Sequence, residues 1–423
     1  MKKNVNRRIF SLVICFLCLM LPVTLSLSGC SANGTTDSVT LYVYNWGEYI
    51  SDGSEGCLDS NKAFEEWYYE TYGVKVNVNY STFSSNESLY AKLSSGSVSY
   101  DVIVPSDYMI ERLIDEELLA ELNYDNIPHA AENLLPEFFG ETSVHSDYDP
   151  GNKYSVPYMY GMIGIIYNTT VIPEDEPNLG SWQLMWDEKY EGNILQFNNS
   201  RDAFGSAQYF LGLDVNSDSD EDWRAALEKL KEQKPILQGY VMDEIYNKME
   251  NGSAAIAAYY AGDYLAMYEN NSDLEFFYPE EGTNLYVDAM CIPKCAKNKE
   301  IAERYIDFML TEEPAVANAE YTYYASPNRV VVESEEYIEY MGEIKEDAYE
   351  KMYDTGSVAT STYRNLTGDK LLLINTLWEE LKSDVTVSGA IYVMCGIILA
   401  VLIACAVASY VKKAYRRKFY VSK

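Results

Sequence analysis

Between residues 39 and 383, hydrophobic and polar positions alternate with two different periods, which predict strands and helices in turn. Val39, Leu41 and Val43 alternate with Thr40, Tyr42 and Tyr44, as in a half-buried strand. The stretch 60–72 has a helical pattern, and Gly73 is placed to end that helix. The same reasoning predicts strands at 74–78 and 100–104, and helices at 86–93 with Asn86 as cap, 109–116, 202–211, 222–232 and 302–310.

The first part of this order reads strand, helix, strand, helix, strand, which predicts an α/β fold with a mainly parallel, doubly wound sheet. Such sheets bind ligands at the carboxyl ends of their strands. Two polar and aromatic segments occupy such positions, 45–49 after the first strand and 106–108 after the third. These two segments are therefore the first candidates for a binding site.

The amino terminus has the pattern of a secretory signal. Basic residues precede an apolar run from Ile9 to about Val23, and the run closes in Leu27-Ser-Gly-Cys30. This ending resembles the bacterial lipobox, in which the cysteine thiol receives a diacylglycerol. We expect a signal peptide at 1–30, lipidation at Cys30 and a short tether at 31–38.

The carboxyl terminus predicts a second membrane element. Residues 387–411 carry no charge and are long enough for a bilayer core of roughly 30 Å. Basic residues follow at once, so the positive-inside rule predicts a cytoplasmic tail at 412–423. The sequence therefore predicts a transmembrane helix at 387–411, with the body of the protein outside the bacterial cell membrane.

Charge and cysteine content narrow the function. The net charge is −33 and every acidic residue lies between 31 and 385, so a nucleic acid is not an expected partner. The body has only Cys57, Cys291 and Cys295, an odd number without zinc-ligand spacing, so no metal site is expected, although one disulfide is compatible with these positions. No nucleophile elbow, phosphate-binding loop or metalloprotease motif occurs, which argues against an enzyme, and no cofactor is expected.

Several blocks in the right order resemble the spermidine/putrescine-binding proteins of polyamine ABC transporters, from about residue 40 to 382. The blocks are LYVYNWGEY at 41–49, STFSSNESLYAKL at 81–93, YDVIVPS at 100–106, VPY at 156–158, AKNKE at 296–300 and SPN at 326–328. The resemblance implies a periplasmic-binding-protein-like fold of two α/β lobes with the ligand clamped between them. It places the crossings between lobes near Gly161 and Val287, with 39–161 and 288–328 in lobe 1 and 162–287 and 329–383 in lobe 2.

The resemblance also implies the ligand contacts. An extended polyamine needs carboxylates for its ammonium groups and aromatic faces for its methylenes. The matching positions are Trp46, Glu48, Tyr49, Ser106, Tyr108, Asn199, Asp202, Tyr260, Asp263, Tyr286, Asp288 and Tyr324.

Two of these positions concern the choice of ligand. Asn199 stands where spermidine binders tend to have Asp, and Asp263 stands where putrescine binders tend to have an extra Asp, so putrescine is favoured over spermidine. Arg201 is placed to neutralise one of the carboxylates.

The expected function is to capture a polyamine outside the cytoplasm and to deliver it to an ABC import permease. Two alternatives remain open from the sequence alone. One is a membrane-tethered sensor for the same ligand. The other is a ferric-iron binder that would use the adjacent tyrosines Tyr259-Tyr260 and Tyr323-Tyr324.

Overall fold

The computed structural model describes residues 38–366 and 368–383 of the 423. The predicted signal peptide with Cys30, the tether as far as residue 37, the apolar segment 387–411 and the tail 412–423 lie outside the described residues.

Strands and helices alternate along this part of the chain. The strands are β1 (Val39–Trp46), β2 (Val76–Phe83), β3 (Val102–Ile103), β4 (Ser155–Asn168), β5 (Ile194–Phe197), β6 (Leu237–Val241), β7 (Ile256–Tyr260), β8 (Leu274–Phe277), β9 (Thr283–Cys291) and β10 (Thr360–Ser361). The helices are α1 (Ser60–Tyr72), α2 (Asn86–Ser94), α3 (Asp107–Asp115), α4 (Pro128–Asn133), α5 (Ser200–Leu211), α6 (Asp220–Gln233), α7 (Glu244–Glu250), α8 (Ala261–Asn270), α9 (Lys299–Met309), α10 (Glu312–Thr322), α11 (Arg329–Val332), α12 (Glu335–Ile344), α13 (Ala348–Tyr353) and α14 (Gly368–Ser383).

The first sheet confirms β1 as a strand but only part of the predicted alternation, because Tyr44, expected on the polar side, is buried against Phe83 and Tyr100. In β1, Leu41 and Val43 are buried whereas Tyr42 is 40% exposed. Strand β1 pairs in parallel with β2 on one side and with β3 on the other, and β3 pairs antiparallel with β9. Helix α1 has the predicted bounds, and Gly73 ends it in the left-handed conformation with φ 69°.

The predicted cap of helix α2 is wrong by one residue. Ser85 is the cap, and its hydroxyl accepts a hydrogen bond from the amide of Ser88. The side chain of Asn86 instead contacts Ser106, since its Nδ2 donates to the Ser106 hydroxyl at 3.1 Å. Asn86 therefore links the start of α2 to a segment that was predicted to bind ligand.

Strand β4 joins the two sheets. Its first half pairs antiparallel with β9, and its second half pairs antiparallel with β7 and β8. Tyr160 faces Val287 and Gly161 faces Tyr286, at the positions where the sequence placed the crossings. Beyond β7, strands β5 and β6 continue in parallel.

The two-lobed α/β fold is therefore confirmed. The expected parallel pairing is found for β1 with β2 and β3 and for β5 with β6 and β7, whereas the sheet as a whole is mixed. The strand order β2-β1-β3-β9-β4-β7-β5-β6 includes antiparallel pairs wherever β4 or β9 takes part. A parallel pair requires a long crossover connection, whereas strands that run back from one sheet to the other pair antiparallel with their neighbours. The exact lobe boundaries stay a prediction.

The prediction of a carboxy-terminal transmembrane helix is corrected. Within residues 38–366 and 368–383, no helix is long and apolar enough to cross a membrane. The longest of them, α14, has 16 residues, and a span needs about 20. The segment 387–411 lies outside the described residues, and the prediction of a cytoplasmic tail at 412–423, which depended on that span, is corrected with it.

The three body cysteines are free thiols in the structure. Cys291 is buried in β9, Cys57 is partly exposed, and Cys295 is exposed.

The close packing around β4 gives a test of the fold. A Cβ atom at Gly164 would collide with the ring of Phe276 and lie 2.6 Å from the carbonyl oxygen of Phe277. We expect Gly164→Ala to lower the free energy of unfolding by about 1–3 kcal/mol through overpacking. Chemical denaturation measures this change.

Gly239→Ala is the matched control, because Gly239 also lies in a strand and a Cβ there has nothing within 4 Å. If both variants unfold at the parent's denaturant midpoint, the assigned packing of β4 against β8 is wrong.

Candidate ligand-binding site

A pocket lies where residues from both sheets meet. It begins at the carboxyl end of β1, where the chain turns through Gly47 and Glu48. The side chain of Asn45 holds this turn, since its Oδ1 accepts from the amide of Trp46 at 2.8 Å and its Nδ2 donates to the carbonyl of Tyr49. Glu48 has φ 49°, a left-handed conformation that costs a non-glycine residue about 1 kcal/mol or more. Local strain of this kind is often retained at binding sites.

Every residue that the sequence assigned to ligand binding lines this pocket. From the first sheet and its loops come Trp46, Glu48, Tyr49, Ser106 and Tyr108, and from the rest of the chain come Asn199, Asp202, Tyr260, Asp263, Tyr286, Asp288 and Tyr324. These positions span almost 280 residues of sequence. The geometry therefore brings them together, although their binding role remains a proposal.

The pocket also contains residues that the sequence did not assign. These are Gly47, Phe83, Ser84, Asn86, Asp107, Met242, Asp243, Tyr259, Asn284 and Tyr363. Asp243 follows the carboxyl end of the parallel strand β6, so the rule that identified 45–49 and 106–108 could also have found it. Nothing in the local sequence around Tyr363 pointed to the pocket.

Each of three buried carboxylates accepts a hydrogen bond from a tyrosine hydroxyl. Tyr49 donates to Asp288 at 2.7 Å, Tyr260 donates to Asp202 at 2.7 Å, and Tyr324 donates to Asp263 at 2.6 Å. A second hydroxyl, that of Tyr246, also donates to Asp263. A phenol has one proton to give, so each tyrosine satisfies one lone pair and leaves the carboxylate with unused acceptor capacity.

The same tyrosines form a continuous aromatic wall. The ring centroids of Tyr260 and Tyr286 are 5.4 Å apart, those of Tyr286 and Tyr324 are 6.3 Å apart, and those of Tyr324 and Tyr49 are 5.0 Å apart. These pairs meet edge to face, an arrangement favoured by the ring quadrupoles. The wall offers flat apolar faces along the length of the pocket.

Burial makes these carboxylates hard to ionise without a ligand. Desolvation raises the pKa of Asp202 to about 7 and the pKa values of Asp263 and Asp288 to about 6, although their tyrosine partners act in the opposite direction. Burial likewise raises the pKa of Asp107 well above its usual range. Among the described residues that line the pocket, none is a lysine or an arginine.

Arg201 does not form an ion pair with Asp202, in contrast to the expectation from their adjacency. Its guanidinium donates to the carbonyl of Val215 and to Asn216, each at 3.0 Å, and lies 4.4 Å from the ring centroid of Tyr363. The arginine charge lowers the pKa of Asp202, but burial outweighs it.

Asn199 has two contacts that explain its place in the pocket. Its Oδ1 caps helix α5 by accepting from the amide of Arg201, and its Nδ2 donates to Asp202 at 2.7 Å. The asparagine thus fixes Asp202 without adding a charge.

These features define a class of protein: a two-lobed α/β binding protein with a ligand pocket formed by both lobes. More specifically, the chain belongs to the family described as bacterial extracellular solute-binding protein, whose profile matches residues 61–365. The family resemblance found in the sequence is therefore confirmed, and the family is one of binding proteins.

Individual relatives cover most of the chain. The spermidine/putrescine-binding periplasmic protein of Salmonella typhimurium is 30% identical over 357 residues, which are 84% of this chain and 95% of the relative. The putrescine-binding periplasmic protein PotF of Escherichia coli is 30% identical over 306 residues, 69% of this chain and 78% of the relative.

A solved structure of a substrate-binding protein is also similar to this chain. The spermidine/putrescine ABC transporter substrate-binding protein PotD of Streptococcus pneumoniae is 32% identical to this chain, and the two structures superpose with a TM-score of 0.63. The match covers 81% of this chain and 98% of that chain.

Proposed function

We propose that this protein captures a polyamine outside the cytoplasm and delivers it to an ABC import permease. The observation that carries the proposal is the aromatic wall of Tyr260, Tyr286 and Tyr324, along which each buried carboxylate keeps unused acceptor capacity. The names of its relatives, which bind spermidine or putrescine, support the same ligand class.

The physical argument is complementarity of charge and shape. A polyamine is a flexible apolar chain with charged nitrogens, and burying an ammonium is costly unless carboxylates meet it. The pocket supplies carboxylates on residues from both sheets, including Asp288 and Asp202. The tyrosine faces can contact the methylenes and add cation–π attraction of about 0.5–2 kcal/mol each.

The ferric-iron alternative is not favoured. Of the two adjacent tyrosine pairs, Tyr323 lies outside the pocket lining, and its hydroxyl donates to Glu269. Burial raises the pKa values of Tyr260 and Tyr324 well above their ordinary values, which opposes the phenolate form that binds iron. A sensor for the same amine would share the pocket, and permease genes beside this one would favour transport.

We also propose that the protein reaches its site of action as a lipoprotein. The sequence at 1–30 supports this, since an apolar signal closes in Leu27-Ser-Gly-Cys30. A lipid on Cys30 would hold the binding body near its permease.

Asp288 tests the amine site. Changing Asp288 to Asn keeps the side chain's size but removes the charge that a buried ammonium requires. Loss of one partner of such a pair costs about 2–5 kcal/mol, which is roughly 30-fold to several-thousand-fold in Kd. Calorimetric titration of the full-length protein with putrescine and spermidine measures this loss.

The control is Glu335→Gln, which removes an exposed acid from helix α12 and should leave the affinity nearly unchanged. If Asp288→Asn binds within about threefold of the parent, the assignment of Asp288 to the amine is wrong.

The raised pKa values predict how affinity depends on pH. Near pH 5 most of Asp202, Asp263 and Asp288 is protonated in the free protein, and a bound ammonium must displace these protons. Affinity should therefore fall as the pH decreases through 7 towards 5, by about tenfold per pH unit for each proton released. Calorimetry in two buffers of different ionisation enthalpy counts those protons.

Near pH 7, binding of a polyamine to Asp202→Asn should release fewer protons than binding to the parent. Affinity that stays constant from pH 8 to pH 5, or that rises on acidification, would contradict this electrostatic account.

The lipoprotein proposal has a covalent readout. Cells that express the parent and are fed a fatty acid with an alkyne tag should yield labelled protein, whereas Cys30→Ala should yield none. Cys57→Ala is the control and should be labelled like the parent, since Cys57 lies in the body. Equal labelling of Cys30→Ala and the parent would rule out Cys30 as the attachment site.

A further inference from the structure

Asp107 is a buried carboxylate within the candidate segment 106–108, and neither the family resemblance nor the tyrosine pairs assign it a contact of its own. It lies at the start of helix α3 and is 2% exposed. Its Oδ1 accepts from the amide of Tyr108 at 2.7 Å, while its Oδ2 makes no hydrogen bond of normal geometry among the described residues, although the nearby amide of Val287 lowers the pKa of the carboxyl. The charge of Arg201 lowers its pKa, but the two terminal nitrogens of that guanidinium donate to Val215 and Asn216 instead.

Asp288 is its neighbour and has the same deficit. The backbones of Ser106 and Asp288 form an antiparallel bridge, which places Asp107 one residue from that contact. Asp288 is 5% exposed, and its Oδ2 accepts from Tyr49, while its Oδ1 makes no hydrogen bond of normal geometry in the described chain, although the nearby Ser106 hydroxyl lowers the pKa of the carboxyl. Two buried carboxylates, each with one unused oxygen, thus line the same pocket and repel each other.

This pair lies between two other acidic positions. Along the aromatic wall, which runs from Tyr260 through Tyr286 and Tyr324 to Tyr49, Asp202 is bonded to Tyr260 and Asp263 is bonded to Tyr324, the two rings on either side of Tyr286. Tyr286 lies between those two rings, 5.4 Å from Tyr260 and 6.3 Å from Tyr324, and Asp288 follows it by two residues on β9. Alternate residues of a strand face the same side, so Asp288 lies beside the middle ring.

The number of unused carboxylate oxygens indicates which nitrogen of a polyamine fits between Asp107 and Asp288. A secondary ammonium within a chain has two N–H groups, and Asp107 and Asp288 offer one unused oxygen each. The primary ammonium groups at the ends of the chain have the acidic positions of Asp202 and Asp263 available to them. A diamine would leave one of these three positions without a cation.

We propose that Asp107 and Asp288 together bind the internal secondary ammonium of a triamine, so that the site prefers triamines to diamines. This inference rests on the proposed polyamine function and concerns the same pocket. It differs from the preference for putrescine that the sequence suggested, because that preference was reached without Asp107.

Asp107 should lower the stability of the ligand-free protein, and a bound cation should offset that loss. A buried carboxylate with an unsatisfied oxygen destabilises the ligand-free protein, whereas a neutral amide of the same shape does so less. A residue with only a structural role would lose stability when replaced by Asn. A ligand-binding residue should lose affinity while stability is kept or increased.

The test compares spermidine with 1,8-diaminooctane, which has the same chain length with a methylene in place of the internal nitrogen. Calorimetry on the full-length parent should show spermidine binding about 30-fold or more tighter, the loss expected for a missing buried charged partner. Asp107→Asn should lose most of this preference, and its affinity for 1,8-diaminooctane should change little. Its thermal unfolding midpoint without ligand should be equal to or above that of the parent.

Asp218→Asn is the matched control, because Asp218 is an exposed acid in the loop before α6, and this variant should keep the parent's preference. A parent that binds neither amine would refute the proposed function itself. A parent that binds both amines equally, or Asp107→Asn with an undiminished preference for spermidine, would refute this inference and leave polyamine binding intact. A lower unfolding midpoint for Asp107→Asn with an unchanged preference would assign Asp107 a structural role and likewise refute it.

Discussion

The antiparallel pairing of β4 with β9 is the constraint on which the rest of this structure depends. Both strands serve the two sheets, so their register fixes how residues from distant parts of the chain face one another. Gly161 and Gly164 have no side chain, which leaves room for the rings of Tyr286 and Phe276 to pack against β4. Along β9, Tyr286 and Asp288 face the pocket, whereas Val287 between them packs with Phe138, Tyr160 and Ala325. One strand thus carries an aromatic wall residue, a carboxylate and a core residue in successive positions.

Desolvation governs the chemistry of the pocket. The lining has six carboxylates, on Glu48, Asp107, Asp202, Asp243, Asp263 and Asp288, and the described lining offers no basic side chain to balance them. Tyrosine hydroxyls compensate in part, because each donates one hydrogen bond without adding charge. The remaining deficit appears as raised pKa values. These carboxylates can therefore be compensated either by protonation or by a bound cation, and a ligand with several positive charges supplies the second.

The sequence predicted those parts of the fold that local rules control. Helix α1 was predicted with its observed bounds, because an Asp59 cap and a glycine stop are both local. The cap of α2 was missed by one residue, since both Ser85 and Asn86 are good caps and a tertiary contact with Ser106 decides between them. The site residues were found through resemblance at strand ends. Asp107 lay within the candidate segment 106–108 but was assigned no contact of its own, and Tyr363 was not found, because a local pattern records neither burial nor packing against a distant chain segment.

The tyrosine at position 260 illustrates how a departure from the family pattern can keep the same function. The resemblance implied a tryptophan there, which would supply a larger aromatic face but a differently placed donor. Tyr260 still packs against Tyr286, and its hydroxyl in addition donates to Oδ2 of Asp202, the oxygen that also accepts from Asn199. Because Asn199 stands where the spermidine binders tend to carry a second acid, the local charge is lower by one. Two neutral donors, Tyr260 and Asn199, fix the orientation of the Asp202 carboxylate. This single acid can therefore present a defined acceptor to a terminal ammonium.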